Sequence, residues 1–202
     1  MIAIVLAALA AAVLALAGTP LLRRLARTPD RLRSGWWHVA TAALAGGWFG
    51  WWFGATLPLL AFMALAAIWA IAATIDVAEH HLPDLLTYGS YPVFLILLLP
   101  TSQWGSVGRA ALAGAALCVV YFVMAFAAPA SFGLGDVKLG LSAGAALGWF
   151  SWRAVWLGSA AAFLLFAVVA LGMLATRRAG RRTELPFGPF IMAGALLGPI
   201  LF

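Results

Sequence analysis

The chain has 202 residues, of which 65% are hydrophobic and only 9% charged, with a formal net charge of +6. Ordinary soluble domains are about half apolar and about a quarter charged, so this composition excludes a water-soluble globule. The positive charge falls in two loops rather than over one face, which excludes a nucleic-acid surface as its explanation.

Apolar stretches of roughly 17 to 25 residues, the length that crosses about 30 Å of hydrocarbon, recur between short polar turns. Lipid offers no partner to a free backbone group, so an all-α, polytopic integral membrane protein of about eight transmembrane helices is expected. The predicted spans are 2 to 22, 36 to 53, 55 to 75, 85 to 100, 107 to 128, 137 to 151, 154 to 176 and 187 to 202. They form a single membrane-embedded domain, 1–202, with no separate soluble domain.

The first apolar run, Ile2 to Gly18, ends in Ala15-Leu16-Ala17, which resembles a signal-peptidase site. No positive residues precede it and arginines follow it, so it is read as a retained anchor with its N-terminus outside. Arg23, Arg24, Arg27, Arg31 and Arg33 fill the next loop, and Arg177, Arg178, Arg181 and Arg182 fill a later one. Placing the first loop in the cytoplasm puts the second there as well, as the positive-inside rule requires. Trp48, Trp51, Trp52, Trp104, Trp149, Trp152 and Trp156 then cluster at outer ends, with Trp36 and Trp37 at an inner one, as interfacial anchors. Only Trp69 falls well inside a span. Small residues in Ala43 to Gly47, Ala110 to Ala116 and Gly140 to Gly148 predict close helix packing.

All six acidic residues, Asp30, Asp76, Glu79, Asp84, Asp136 and Glu184, fall on the predicted cytoplasmic side. Asp76 ends the third span and Asp136 opens the sixth, and the intervening pair of antiparallel helices returns the chain to the face it left. The two carboxylates are therefore expected to meet. Two carboxylates in a partly dry site share a proton, which equips one to activate water and the other to protonate a scissile group. Both aspartates also admit a reading as helix caps. Asp84, after Pro83, is read as an N-cap, and Glu79, His80 and His81 as a solvated loop rather than a metal site. Lys138 either tunes Asp136 or meets lipid headgroups. The single cysteine, Cys118, lies in an apolar run and offers neither a disulfide nor a cysteine zinc site.

At these residues the sequence resembles the type IV prepilin peptidase family, membrane aspartic proteases of the GxGD class. Asp76 through Asp84 is similar to the stretch in which a catalytic aspartate precedes a polar segment and a Pro-Asp. Gly133-Leu134-Gly135-Asp136-Val137-Lys138-Leu139 matches the GxGD motif and its usual continuation. Leu185-Pro186-Phe187-Gly188-Pro189-Phe190 resembles the Pro-Phe-Gly-Pro motif that opens the last helix. The resemblance implies Asp76 and Asp136 as the catalytic pair. It implies Gly133, Gly135, Lys138, Glu79 and Asp84 as supporting or substrate-binding residues, and Pro83, Pro186, Gly188 and Pro189 as structural ones.

The resemblance further implies prepilins or pseudopilins as substrates, cut after a short basic leader ending in glycine, in the cytoplasmic (inner) membrane with the site facing the cytoplasm. A basic leader would be drawn to the acids, against the repulsion of the chain's own arginine loops. Larger members carry a cytoplasmic insert with paired Cys-x-x-Cys motifs, associated with methylation of the new N-terminus. Here Arg33-Ser34-Gly35-Trp36-Trp37 runs straight into the second span. Peptidase activity alone is expected, with no metal, cofactor or methyl donor; the oligomeric state is left open. Two other classes compete: a small proton- or cation-coupled transporter, whose acids would lie near midplane, and a catalytically inactive scaffold of a pilus or secretion assembly.

Overall fold

The computed structural model describes residues 1–28, 32, 36–127, 132–176 and 185–201. The expectations placed on Asp30, Arg31, Arg33, the Arg177 to Arg182 loop and Glu184 lie outside the described residues. The described chain is all α-helical: α1 (Ile2–Ala17), α2 (Thr19–Leu25), α3 (Trp37–Phe53), α4 (Pro58–Glu79), α5 (Asp84–Leu98), α6 (Trp104–Ala127), α7 (Leu134–Phe150), α8 (Trp152–Ala175) and α9 (Gly188–Leu197). Short 3-10 turns, Leu99–Thr101 and Gly198–Ile200, follow α5 and α9.

Every expected apolar span corresponds to a helix, the first to a bent pair. Pro20 in the first turn of α2 removes a backbone donor, and α1 and α2 meet at 46°. A 2.9 Å hydrogen bond between Thr19 Oγ1 and the buried His38 Nε2 holds the bend against α3. Among the described residues four helices, α4, α5 with its 3-10 turn, α6 and α8, are long and apolar enough to cross a membrane, and the bent pair makes up to five. Helices α3 and α7 have 17 residues each, about 26 Å at 1.5 Å per residue, and α9 has only 10. The protein is thus a membrane protein of several candidate spans.

Helix α4 is enclosed by its neighbours, with 72% of its apolar window buried, whereas α8 has 11% buried and turns most of its surface outward. Helix α7 is buried over nearly its whole length, from Val137 to Trp149. Its neighbour α6 comes so near that a Cβ on Gly144 would sit 2.6 Å from the Ala113 carbonyl oxygen. The small-residue stripes read from the sequence therefore lie at helix contacts, where close approach substitutes for a hydrophobic drive. The two enclosed helices, α4 and α7, are the ones that carry Asp76 and Asp136.

At the other end of α7 the tryptophans divide. Trp51, Trp104, Trp152 and Trp156 are exposed, as interfacial anchors should be, but Trp149 is only 6% exposed. Trp48 is half-buried and donates its indole N–H to the Leu196 carbonyl at 3.0 Å. These two belong to the interior, because an aromatic cluster closes that end: Phe62 packs against Phe49, Phe53, Phe94 and Phe150 with ring centroids 4.6 to 5.6 Å apart. Trp69 is also internal, donating to Ser142 Oγ at 3.0 Å.

Candidate active site

The last turn of α4 carries Asp76 and the first turn of α7 carries Asp136. Helix α4 stops where His80 adopts the left-handed conformation (φ 51°, ψ 40°), its amide bonding the Asp76 carbonyl at 2.8 Å. Helix α7 starts one turn earlier than the sequence pattern indicates, with Gly133 as its N-cap and Asp136 at the third helical position. That position lets the Asp136 carboxyl accept from the Gly133 amide, half of a capping box. The capping and catalytic readings of Asp136 are therefore compatible.

Both carboxyls face a cavity of about 310 Å³, walled by the His80–Leu82 turn and Asp84 on one side and by Gly133–Asp136 and Lys138 on the other. Asp76 is only 5% exposed. The Gly188 amide donates toward its carboxyl, while Oδ2 has no hydrogen-bond partner. The charge of Asp76 acts on Asp136, so the two form one electrostatic unit. The remaining glycines explain how backbone comes so near. A Cβ on Gly188 would lie 2.7 Å from Asp76 Oδ2, and one on Gly135 would lie 3.0 Å from Leu82 Cβ. Gly188, expected to be structural, thus borders the Asp76 carboxyl directly.

Phe187 fixes that approach, since its ring meets Phe132, Phe163 and Phe166 at centroid distances of 5.4, 5.0 and 5.3 Å. Pro189 lies in the first turn of α9, where its missing N–H is harmless. Pro186 is half-buried just before that helix.

Two expectations are corrected. Asp84 is not an N-cap: the buried Pro83 holds that position in extended geometry and Asp84 is the first helical residue. Its carboxylate instead pairs with Lys138 Nζ at 2.6 Å, and the ammonium also lies 5.0 Å from the Tyr88 ring centroid. Lys138 is therefore engaged by a side chain rather than free to meet headgroups. Glu79 is not part of a solvated loop: it ends α4 and accepts from Arg27 N (2.9 Å), Thr28 N (2.7 Å) and Thr28 Oγ1 (2.9 Å). Of the acids expected to draw a basic leader, Asp84 is already paired with a cation. Among the described residues, no group of three or more His, Cys, Asp or Glu side chains is placed to hold a metal ion.

Sequence reasoning missed two neighbours of the pair. Tyr121, buried in α6, interacts electrostatically with Asp136, and a lone phenol in an otherwise apolar run was the signal for it. His81 lines the cavity with a buried, unpartnered Nδ1; the sequence signal, two adjacent histidines, resembled a solvated turn.

A helical bundle with two coupled carboxyls in a cavity at one end defines a membrane protein of the di-aspartate class. The chain belongs to the Type IV leader peptidase family, whose pattern it matches over residues 63–176, a region that contains both aspartates. It is 35% identical over 178 residues to proteins named prepilin leader peptidase/N-methyltransferase in Burkholderia pseudomallei strains 1026b and K96243, covering 83% of this chain and 54% of each relative. A protein of the same name in Legionella pneumophila is 35% identical over 156 residues, 73% of this chain and 52% of the relative. The chain thus spans about half the length of these relatives. No solved structure matches it.

Proposed function

We propose that this chain is a membrane aspartic endopeptidase that removes the short basic leader of prepilin or pseudopilin-like substrates. The observation that carries the reading is that Asp76 and Asp136, sixty residues apart and on different helices, line one cavity, where the charge of Asp76 acts on Asp136. Double ionisation of such a pair is unfavourable, so a singly protonated state is the working form. The ionised carboxylate takes a proton from water as the oxygen attacks the scissile carbonyl. The protonated one donates to the carbonyl oxygen, and the departing amine is protonated as the tetrahedral intermediate collapses. No covalent nucleophile is needed.

In this reading residues 1–202 form one membrane-embedded domain that crosses the inner membrane eight times, with the cavity at the cytoplasmic face. Supporting that orientation, the Arg27–Thr28 segment of the first basic loop is bonded to Glu79 at the aspartate end of α4. The shorter α3 and α7 cross within the bundle, where local thinning makes up the remaining length. The methyltransferase half of the relatives' names is not carried across, because the chain's single cysteine cannot supply paired Cys-x-x-Cys motifs.

The test is co-expression with a tagged prepilin bearing a basic leader and a Gly-Phe junction, comparing wild type with Asp76→Asn and Asp136→Asn. Leader removal by wild type alone is expected. Cleavage that survives either substitution, or no cleavage across several prepilins from the same source, would overturn the reading.

A further inference from the structure

His80 is one of two non-glycine described residues with positive φ, and its left-handed turn reverses the chain at the end of α4. A non-glycine residue pays roughly 1–2 kcal/mol for that conformation, so such turns persist where surrounding structure enforces them. Here the turn leads directly into His81, which lines the same cavity as Asp76 and Asp136.

The imidazole Nδ1 of His81 is shut off from solvent and has no hydrogen-bond partner. Leaving a buried polar atom unpaired costs about 1–3 kcal/mol. Asp76 Oδ2, in the same site, is likewise buried without a partner. The fully buried His38, by contrast, is bonded to Thr19. The ring itself lines the cavity, so a rotation about its side-chain bonds would present that nitrogen to a group entering there.

We infer that His81 is a substrate-positioning residue whose Nδ1 hydrogen-bonds the main chain of an extended peptide lying across the cavity beside the aspartate pair. The inference rests on the peptidase reading and deepens it. Extended main chain is the fitting partner because it alternates N–H and C=O groups, so either neutral tautomer of the ring finds a complement. The surroundings of the ring favour its neutral form. Burial, aided by Arg27 and Lys138 and opposed by Glu79 and Asp84, holds its pKa below the ordinary histidine value. A neutral ring adds no charge beside the pair and leaves the proton on Asp76 or Asp136 to do the chemistry.

Isosteric replacement tests this directly, since an Asn amide reproduces the position of Nδ1 and a Gln amide that of Nε2. Binding of a synthetic peptide with a basic leader and Gly-Phe junction is measured on the detergent-solubilised full chain carrying Asp76→Asn, so that nothing is cleaved. His81→Ala and His81→Gln are expected to weaken binding about tenfold, and His81→Asn to stay within about threefold. In the cleaving chain the loss falls on KM rather than kcat. Unchanged affinity in His81→Ala, or equal losses in Ala, Asn and Gln, would overturn the inference and leave the peptidase reading standing. Failure of the peptide to bind the chain with His81 intact, together with no cleavage by wild type, would overturn both.

Discussion

The two ends of α7 are built on opposite terms. At its C-terminal end, Arg109 reaches from α6 to the helix's free carbonyls, donating from Nε to Gly148 at 2.6 Å and from Nη2 to Trp149 and Phe150 at 2.7 and 3.2 Å. Aromatic rings close around that end, and its orphan carbonyls are satisfied as helix termini require. At the N-terminal end the backbone turns through glycines, a cavity opens, and Asp76 Oδ2 and His81 Nδ1 are left without partners. The contrast separates an end whose polar groups are satisfied from one whose buried polar groups are not, the arrangement in which stability is traded for activity.

Substitutions at the two ends should therefore dissociate stability from turnover. The largest effect belongs to the pair: Asp76→Asn or Asp136→Asn should lower leader cleavage by about 10³-fold or more. Thermal unfolding in detergent should show a Tm equal to or above wild type, because a poorly satisfied buried carboxyl is replaced by a neutral amide. Next is Gly188→Ala, whose Cβ would press on Asp76 Oδ2 from 2.7 Å. Displacing that carboxyl should reduce kcat by about a hundredfold, with membrane insertion, read by protease protection, unchanged.

Arg109→Ala should reverse the pattern, lowering stability by about 2 kcal/mol through three abandoned carbonyls, while the surviving folded fraction cleaves at the wild-type rate. A stability loss at Asp76, or a turnover loss at Arg109 without unfolding, would break the comparison. Glu79→Gln should lower cleavage only a few-fold, since the amide oxygen still accepts from Thr28 while the bond from the Arg27 amide is lost. Smallest of all is Lys138→Met: its partner Asp84 is well exposed, so stability should change by less than about 1 kcal/mol.

How much of this was legible in sequence depends on the range of the interaction. Helices were legible because apolar length is a local property, and α3, α4, α5 and α8 begin and end within a few residues of expectation. The meeting of Asp76 and Asp136 was also legible, since two antiparallel helices between them return the chain to one face. The partners of Glu79 and Asp84 were not. They lie 51 to 54 residues away, and no local pattern distinguishes a carboxylate that caps its own helix from one that anchors a distant segment. The interior position of Trp149 was hidden for the same reason: a tryptophan near a helix end reads as an interfacial anchor until the helices that bury it are placed. Gly188 was recognised as part of a motif, but its contact with Asp76 depends on how α9 docks.

The central claim is that Asp76 and Asp136 act as one acid–base pair with a single proton between them. The most direct measurement is the pH dependence of kcat/KM for leader cleavage by the purified chain in detergent. The account predicts a bell, one limb for loss of the shared proton and one for protonation of the remaining carboxylate, with neither substituted form showing activity at any pH. Activity that rises or falls through a single ionisation, or that persists in Asp76→Asn or Asp136→Asn, would contradict it.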